Sequence, residues 1–399
     1  MAAAVLTGTT GTLAVVLAIV IMIMLHELGH FATAKWAHMK VTEYFLGFGP
    51  RLWSVQRGET EYGVKAIPAG GYVKIIGMSN LEEVEPADEP RTYRQQSFGR
   101  RMSVAVAGSA VHFILAFLIL WVLFSFVGVP DGNRAAVGGF STIEGTTSPA
   151  RQAGLQPGDV FVSVDGHTLS SPDQLPSYIQ SRSGQPVTLV VKRHGDLQTF
   201  KVTPIDENTV KVQGQPSAPP SSTPHGIIGV QLISPVGTTN PAVAVYRSTV
   251  DIGRFSWQTL SALGGIFSPH GISNYTHQVT NPTTNQQTAS SNNPRLESPI
   301  GIVRLASQAS HAGLREVLLL LFSINVFVGL FNLFPMLPLD GGHVAIAVYE
   351  RIRSRKGRQY HADVTKLLPA TYMVFLVLVV LGVTALYMDV THPLANPFQ

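Results

Sequence analysis

The stretch LHELGHFATAKW, Leu25 to Trp36, follows twenty-four residues without a charged side chain. A run so apolar suits lipid, and its end in two histidines and a glutamate decides how the rest of the chain reads. Residues four apart on a helix stack on one face, so His26 and His30 lie one above the other, with Glu27 about 100° around the axis from His26. Two imidazoles at that spacing can share one Zn2+ and leave the glutamate beside the metal, the pattern of a hydrolytic zinc site. The bland alternative places all three residues in the cytoplasmic interface, where they cost little. With Lys35 as the boundary, His26 lies nine residues inside it, about 13 Å at the helical rise. An ionisable side chain at a helix centre costs about 2.5–3.5 kcal/mol on insertion scales, so such groups are rarely left there without a partner. The depth of the motif favours a functional site.

Of 399 residues only 13% are charged, and mean hydropathy is positive, which points to a membrane protein. Four uncharged stretches reach the roughly 20 residues that cross a bilayer as helix: Ala2–Leu25, Met102–Pro130, Val317–Leu339 and Leu367–Met388. The first reads as a retained span and not as a cleaved signal. No Lys or Arg precedes it, and His26, Glu27 and His30 would separate the apolar core from the A-x-A-like site at Ala32–Ala34. Ten Lys and Arg lie between Lys35 and Arg101, six between Arg351 and Lys366, and none before the first span or after the last. Short cytoplasmic loops accumulate such residues, so both termini are expected outside a multi-pass cell-membrane protein. Spans one and three then both end at the cytoplasmic side, and the active site is expected there. The formal charge of +4 reflects these loops. No basic stripe interleaved with aromatics is present, so no nucleic-acid partner is expected.

A catalytic zinc usually has three protein ligands and an open position, so a third ligand is expected from another span. Span three ends NLFPMLPLDGGH, Asn332 to His343, with Asp340 its first charge. Because spans one and three run in the same direction, Asp340 can meet His26 and His30. Pro335 and Pro338 break helical bonding before it, which lipid tolerates only where the freed groups face protein or a water-filled cavity. Asn332 can bond a substrate backbone in such a cleft, or satisfy the broken helix itself. In the loop after span one, EYGVKAIPAGGYVKIIGM (Glu61–Met78) reads as a hairpin around Gly70-Gly71. Such a hairpin near the membrane holds an extended substrate at its edge or only packs the cytoplasmic face.

The segment between spans two and three is expected outside, and with no cysteine in the chain it must fold without disulfides. DVFVSVDG (Asp159–Gly166) and PVTLVVKRHGDLQTFKV (Pro186–Val202) read as strands, the latter broken by a His-Gly-Asp turn; SPDQLPSYIQSR between them reads as a short helix. SPARQAGLQPGDVFVSVDG (Ser148–Gly166) resembles the bacterial PDZ signature, and beyond the Pro/Ser-rich QGQPSAPPSSTP the run HGIIGV (His225–Val230) would supply the peptide-binding strand. A β-rich spacer without a ligand is the alternative. Asn274–Asn293, with almost no apolar residues, reads as a loop without an assigned function.

Taken together, HELGH in span one, GGYVKIIGM in the loop, the PDZ-like segment, SPIGI (Ser298–Ile302) and N-x-x-P-x-x-P-x-D-G-G in span three resemble the site-2 protease family of zinc intramembrane metalloproteases. The likeness is to the bacterial regulator-of-sigma-E protease type. It implies His26, His30 and Asp340 as zinc ligands and Glu27 as the catalytic carboxylate. It also implies a pre-trimmed single-span substrate such as an anti-sigma factor, and a PDZ domain acting as a size filter or docking a newly exposed C-terminus. Two features depart from the family pattern. AGSAVH (Ala107–His112) stands where many members have A-G-P-x-x-N, so His112 is expected to pack or hydrogen-bond and not to be a ligand; and one PDZ module is present where some relatives carry two. The expected fold is a polytopic α-helical membrane protein: span one (1–35), a cytoplasmic membrane-associated β-hairpin region (36–101), span two (102–130), an extracytoplasmic α+β PDZ domain (131–235), an extracytoplasmic linker (236–315), span three with the Asp ligand (316–345), a cytoplasmic loop (346–366), and span four with an external C-terminus (367–399). Rival readings are an inactive scaffold recruiting partners through the PDZ domain, and a metal transporter. The full ligand set with Glu27 argues against the first, and the lack of internal repeats against the second.

Overall fold

A computed structural model describes residues 8–78, 82–144, 146–211, 224–280, 296–354, 360–393 and 396–398. The chain forms two compact units: residues 1–125 together with 240–399, and an insert of residues 126–239. Four helices are long and apolar enough to cross a membrane, Gly8–Trp36, Phe98–Val127, Leu314–Asn332 and Thr365–Thr391, one for each stretch expected. Most of the QGQPSAPPSSTP linker lies outside the described residues.

Helix α1 (Gly8–Trp36) carries the HELGH motif inside an unbroken helix, eleven residues beyond the apolar run that ended at Leu25. Strands β1 (Val41–Arg57) and β2 (Thr60–Ile75) follow, then α2 (Phe98–Val122), which ends in a π turn over Leu123–Val127. The hairpin expected within Glu61–Met78 is not what forms. Glu43 to Leu46 each pair twice, with residues 71–74 on one side and 61–64 on the other, while 51–57 pair with 60–65. The two arms around Gly70-Gly71 therefore flank β1 instead of each other. The ladder runs through four segments in the order 51–57, 60–67, 41–48, 71–75. Pro68 cannot donate to a ladder. At Gly47, where β1 turns, φ is 87° and an added Cβ would stand 2.7 Å from the Ile67 carbonyl oxygen, so only glycine fits. Phe48, Leu52, Trp53, Val55 and Ile67 remain exposed on this sheet. Its base is anchored: Ala34, Met39, Val41, Ile75, Tyr93 and Val104 share one core, joining the end of α1 to the sheet and to α2.

The turn between β1 and β2 is tethered to α1 as well. Glu59 accepts from Lys35 at 2.5 Å and from Arg91 at 2.8 Å. Arg91, then Lys35, pull the Glu59 carboxyl down to about 2 against the opposing effect of burial. A depressed carboxyl stabilises the fold above its unfolded pKa and loses that contribution as pH falls through the folded one. The tether should therefore persist well below pH 4.5 and open only near pH 2. Glu59→Gln should speed amide exchange in residues 57–61 at pH 7, with the difference from wild type gone near pH 2; equal exchange at pH 7 would remove the tether.

The inserted unit begins with β3 (Val129–Pro130) and β4 (Ala136–Phe140), followed by α3 (Pro149–Gln152), β5 (Val160–Val164), β6 (His167–Thr168), α4 (Gln174–Gln180), β7 (Val187–Arg193), β8 (Asp196–Val202), β9 (Ile205–Asp206), β10 (Gly226–Ile227), β11 (Val230–Ile233) and β12 (Val236–Gly237). Its main sheet runs β11-β4-β5-β7-β8, with β6 on β5. Alternation puts Val187, Leu189 and Val191 of β7 into a core with Phe161, Val164, Leu175 and Ile179. The His-Gly-Asp turn joins β7 to β8, with His194 and Gly195 at positive φ. HGIIGV is not one strand: Gly226–Ile227 pairs with β9, Val230 onward with β4, and Gly229 at φ 67° makes the break.

Residues 236–315, expected as a linker, fold largely as helices: α5 (Pro241–Ile266), α6 (Pro269–Thr280) and α7 (Pro299–Ala312). Asn274–Thr280 lies in α6 and not in a loop, and residues 281–295 fall outside the described ones. Asn240 and Ser298 cap α5 and α7 through their side-chain oxygens, each with Pro at the first helical position, a helix start signal present in the sequence. Ala306 and Ala309 of α7 pack with Val15 and Met22 of α1 and with Val317 and Leu321 of α8 (Leu314–Asn332). Span three is thus shorter than the expected Val317–Leu339. After a non-helical turn over 333–339, Asp340 opens a separate helix, α9 (Asp340–Arg353), and α10 (Leu368–Thr391) is the last span.

Candidate metal centre

Three helices converge where the two histidines lie. Helix α1 presents His26 and His30 on one face, both buried, and α9 presents Asp340 from its first residue. The His26 and His30 Nε2 atoms are 3.2 Å apart, and Asp340 Oδ2 lies 3.4 Å from the first and 3.2 Å from the second. Zinc bonds of about 2.0–2.1 Å arranged tetrahedrally separate the ligand atoms by about 3.3–3.4 Å. The triangle is the base of such a tetrahedron. Asp340 Oδ2 is buried and makes no hydrogen bond among the described residues, an orphan that a cation above the triangle would satisfy. Among the described residues this is the one group of three His, Cys, Asp or Glu side chains able to hold a metal.

Helix α2 sets the geometry from behind. Val104 O accepts from His30 Nδ1 at 2.7 Å. A carbonyl only accepts, so His30 carries its proton on Nδ1 and turns a bare Nε2 lone pair to the triangle. One turn on, Gly108 makes room for both rings: a Cβ there would lie 2.3 Å from His26 Cε1 and 2.4 Å from His30 Nε2. A further turn on, His112 packs its ring 5.0 Å from that of His26 and bonds Asn325 Oδ1 through Nδ1 at 2.9 Å. Asn325 Nδ2 donates to Leu321 O at 2.8 Å, which fixes the amide so that His112 Nδ1 is the donor. His112 is outside the triangle and hydrogen-bonded.

Glu27, half-buried, faces the sheet. The Val73 backbone N–H points at its carboxylate, and a Cβ on Gly71 would lie 3.2 Å from its Cγ. Tyr44 donates to Met24 O at 2.7 Å and binds the same strands to α1 one turn earlier. Of the residues singled out in the sequence as substrate-binding, Gly71 therefore sits beside Glu27, while Gly70 precedes the edge segment and lies against Phe48. Asn332 ends α8, and Pro335 and Pro338 are exposed in the turn before Asp340. Gly108, Val104, Asn325 and Val73 were not among the sequence candidates. The run AGSA, Ala107–Ala110, in a span of larger side chains was the signal available for Gly108; a backbone carbonyl or amide leaves none.

A multi-pass membrane protein with a buried His-His-Asp triangle beside a glutamate is, as a class, an intramembrane metalloprotease. Residues 14–379 match the model of Peptidase family M50, and the chain belongs to that family. It is 33% identical over 420 residues to the zinc metalloprotease Rip1 of Mycobacterium tuberculosis, covering 98% of each chain, and 32% identical over 414 residues to Rip1 of Mycolicibacterium smegmatis, covering 96% of this chain and 97% of that one. A putative zinc metalloprotease of Clostridium acetobutylicum is 26% identical over 383 residues, 95% of this chain and 97% of that one. The protein is a zinc metalloprotease of the site-2 type, as the sequence resemblance implied.

Proposed function

We propose that the protein hydrolyses a peptide bond within or near the transmembrane segment of a single-span membrane protein already trimmed outside, such as an anti-sigma factor. In this reading His26, His30 and Asp340 hold Zn2+, and Glu27 moves the proton. The observation that carries it is the triangle of two Nε2 atoms and one Oδ2 with edges of 3.2–3.4 Å, matched to a tetrahedral zinc. When bound, zinc polarises the scissile carbonyl and makes the attacking water more acidic. Glu27 takes the proton from that water and passes it to the leaving amine, its carboxylate steadied by the Val73 N–H.

A helical substrate has its carbonyls occupied and must unwind before it can be cut. Among the described residues the segment 71–75 pairs on one side only, and it offers an edge beside Glu27 along which an extended chain can add as a strand. Its exposed apolar neighbours suit a sheet that dips against the membrane. Asn332 and the Pro335–Pro338 turn line the other wall in this reading, their backbone groups open to substrate. The Lys and Arg distribution supports termini outside and a site towards the cytoplasm. Single cysteines placed in the cysteine-free chain and labelled from one side test that orientation.

The inserted unit fits a PDZ domain in this reading. A groove of about 210 Å3 between α4 and the β10–β11 run is lined by Leu175, Ile179, Ile227, Ile228 and Val230, which suit a C-terminal side chain, and by the polar Ser141, Gln180 and Glu207. Deleting residues 131–235 should let untrimmed substrates be cleaved at rates close to trimmed ones; unchanged selection would remove the filter.

The test of the function is cleavage of a tagged single-span substrate by the purified protein, before and after chelation and with zinc restored. Loss and recovery of cutting support the protease reading. A protein that holds zinc and cuts no trimmed substrate would favour the scaffold.

A further inference from the structure

We infer that the buried ion pair Arg101–Glu350 is a positioning clamp that holds α9, and with it Asp340, against the two histidines. The inference rests on Asp340 being a metal ligand. The turn before Asp340 and the packing of α9 place that residue together. Between Asn332 and Asp340 the chain makes short turns, Leu333 N to Leu330 O, Phe334 N to Phe331 O, Met336 N to Phe334 O and Leu339 N to Met336 O; two of its seven residues are prolines without a donor, and Gly341 and Gly342 pack closely on its backbone. Because the turn is packed on the first residues of α9, Asp340 moves with that helix.

Helix α9 packs on α2, and this pair is a polar contact between them. Arg101 Nη1 lies 2.6 Å from Glu350 Oε2, with the side chains 11% and 6% exposed. The other Glu350 oxygen accepts from Ala362 N at 2.7 Å. The guanidinium sits 5.1 Å from the centre of the buried Tyr93 ring, and Tyr93 meets His343, one turn after Asp340, edge to face at 6.1 Å. Arg101 is also three residues before Val104, whose carbonyl orients His30. One turn of α2 thus grips the His30 ligand directly and the helix of the Asp340 ligand through an ion pair.

Space around the pair explains why a specific contact is needed. A cavity of about 330 Å3 lies beside it, bounded by Met78, Pro338, His343 and Ile346 among others, so α9 has room to shift if released. An apolar contact would tolerate that shift, whereas a buried charge separated from its partner is strongly disfavoured. The charges confine α9 to one register.

Co2+ titration of the purified full-length protein in detergent, read by its visible ligand-field spectrum, tests the clamp. The variants are Glu350→Gln, Arg101→Met and Asp340→Ala, and each of the first two combined with the third. Glu350→Gln keeps the shape of the side chain and the acceptor for Ala362, and it carries the test if Arg101→Met does not fold. The expected result is Co2+ binding weakened by about 10- to 100-fold in either clamp variant, the range for lost support of a ligand, with a spectrum shifted towards that of Asp340→Ala and no further weakening in the combined variants. Unchanged binding and spectrum, or weakening that adds in full to Asp340→Ala, would overturn the clamp. If Asp340→Ala itself leaves Co2+ binding intact, the ligand assignment fails instead.

Discussion

Glu27→Gln is expected to keep about one zinc per chain and to lose cleavage by about 10²–10⁴-fold, the range of a general acid–base contribution. The two results separate because the ligand triangle and the glutamate have different supports. The triangle depends on the α2 backbone and on α9, while Glu27 lies on the sheet side of α1 against Val73 and Gly71. The glutamine amide still fits beside Gly71 but cannot take a proton. The comparison pairs metal analysis with cleavage of a tagged single-span substrate. Retained cutting would remove Glu27 from the chemistry, and lost zinc would mean that its carboxylate helps to hold the metal.

Gly108→Ala should abolish zinc binding although it adds a single methyl group. Its Cβ would stand 2.3 Å and 2.6 Å from two atoms of the His26 ring and 2.4 Å from His30 Nε2, all well inside contact distance. Both rings would have to leave the triangle, or α1 and α2 would have to part. Parting is resisted because Gly29, on the facing helix, is also closely packed: a Cβ there would lie 2.9 Å from Ala107 O. The control is Gly253→Ala in α5, where nothing lies within 4 Å; in a helix interior that change should be neutral or stabilise by up to about 1 kcal/mol. Zinc content after dialysis and helicity by circular dichroism decide the outcome. A folded Gly108→Ala protein with a full zinc complement would refute the close packing.

Much of the site was legible because its signals are local or follow from direction. The four spans are runs of uncharged residues, the histidine pair is a helical spacing, and the shared direction of spans one and three brings Asp340 to it. Two departures concern local geometry. Residues 236–315 were expected as a linker, yet Asn240 and Pro241 cap and start a helix; and Gly70-Gly71 suggested a hairpin, yet Pro68 and the turn at Gly47 send both arms to opposite sides of β1.

By itself, then, the amino-acid order determined which segments enter lipid and which side chains can bind a metal, since hydropathy and periodicity act over one helix turn or one span. Only the tertiary structure decided what makes them a centre: the Val104 carbonyl that selects the His30 tautomer, the missing side chain at Gly108, the Asn325 amide behind His112 and the Arg101–Glu350 pair. Those contacts join residues far apart in the chain through backbone atoms, empty space or a single ion pair, and apart from the small-residue run around Gly108 no local pattern of residue types encodes them.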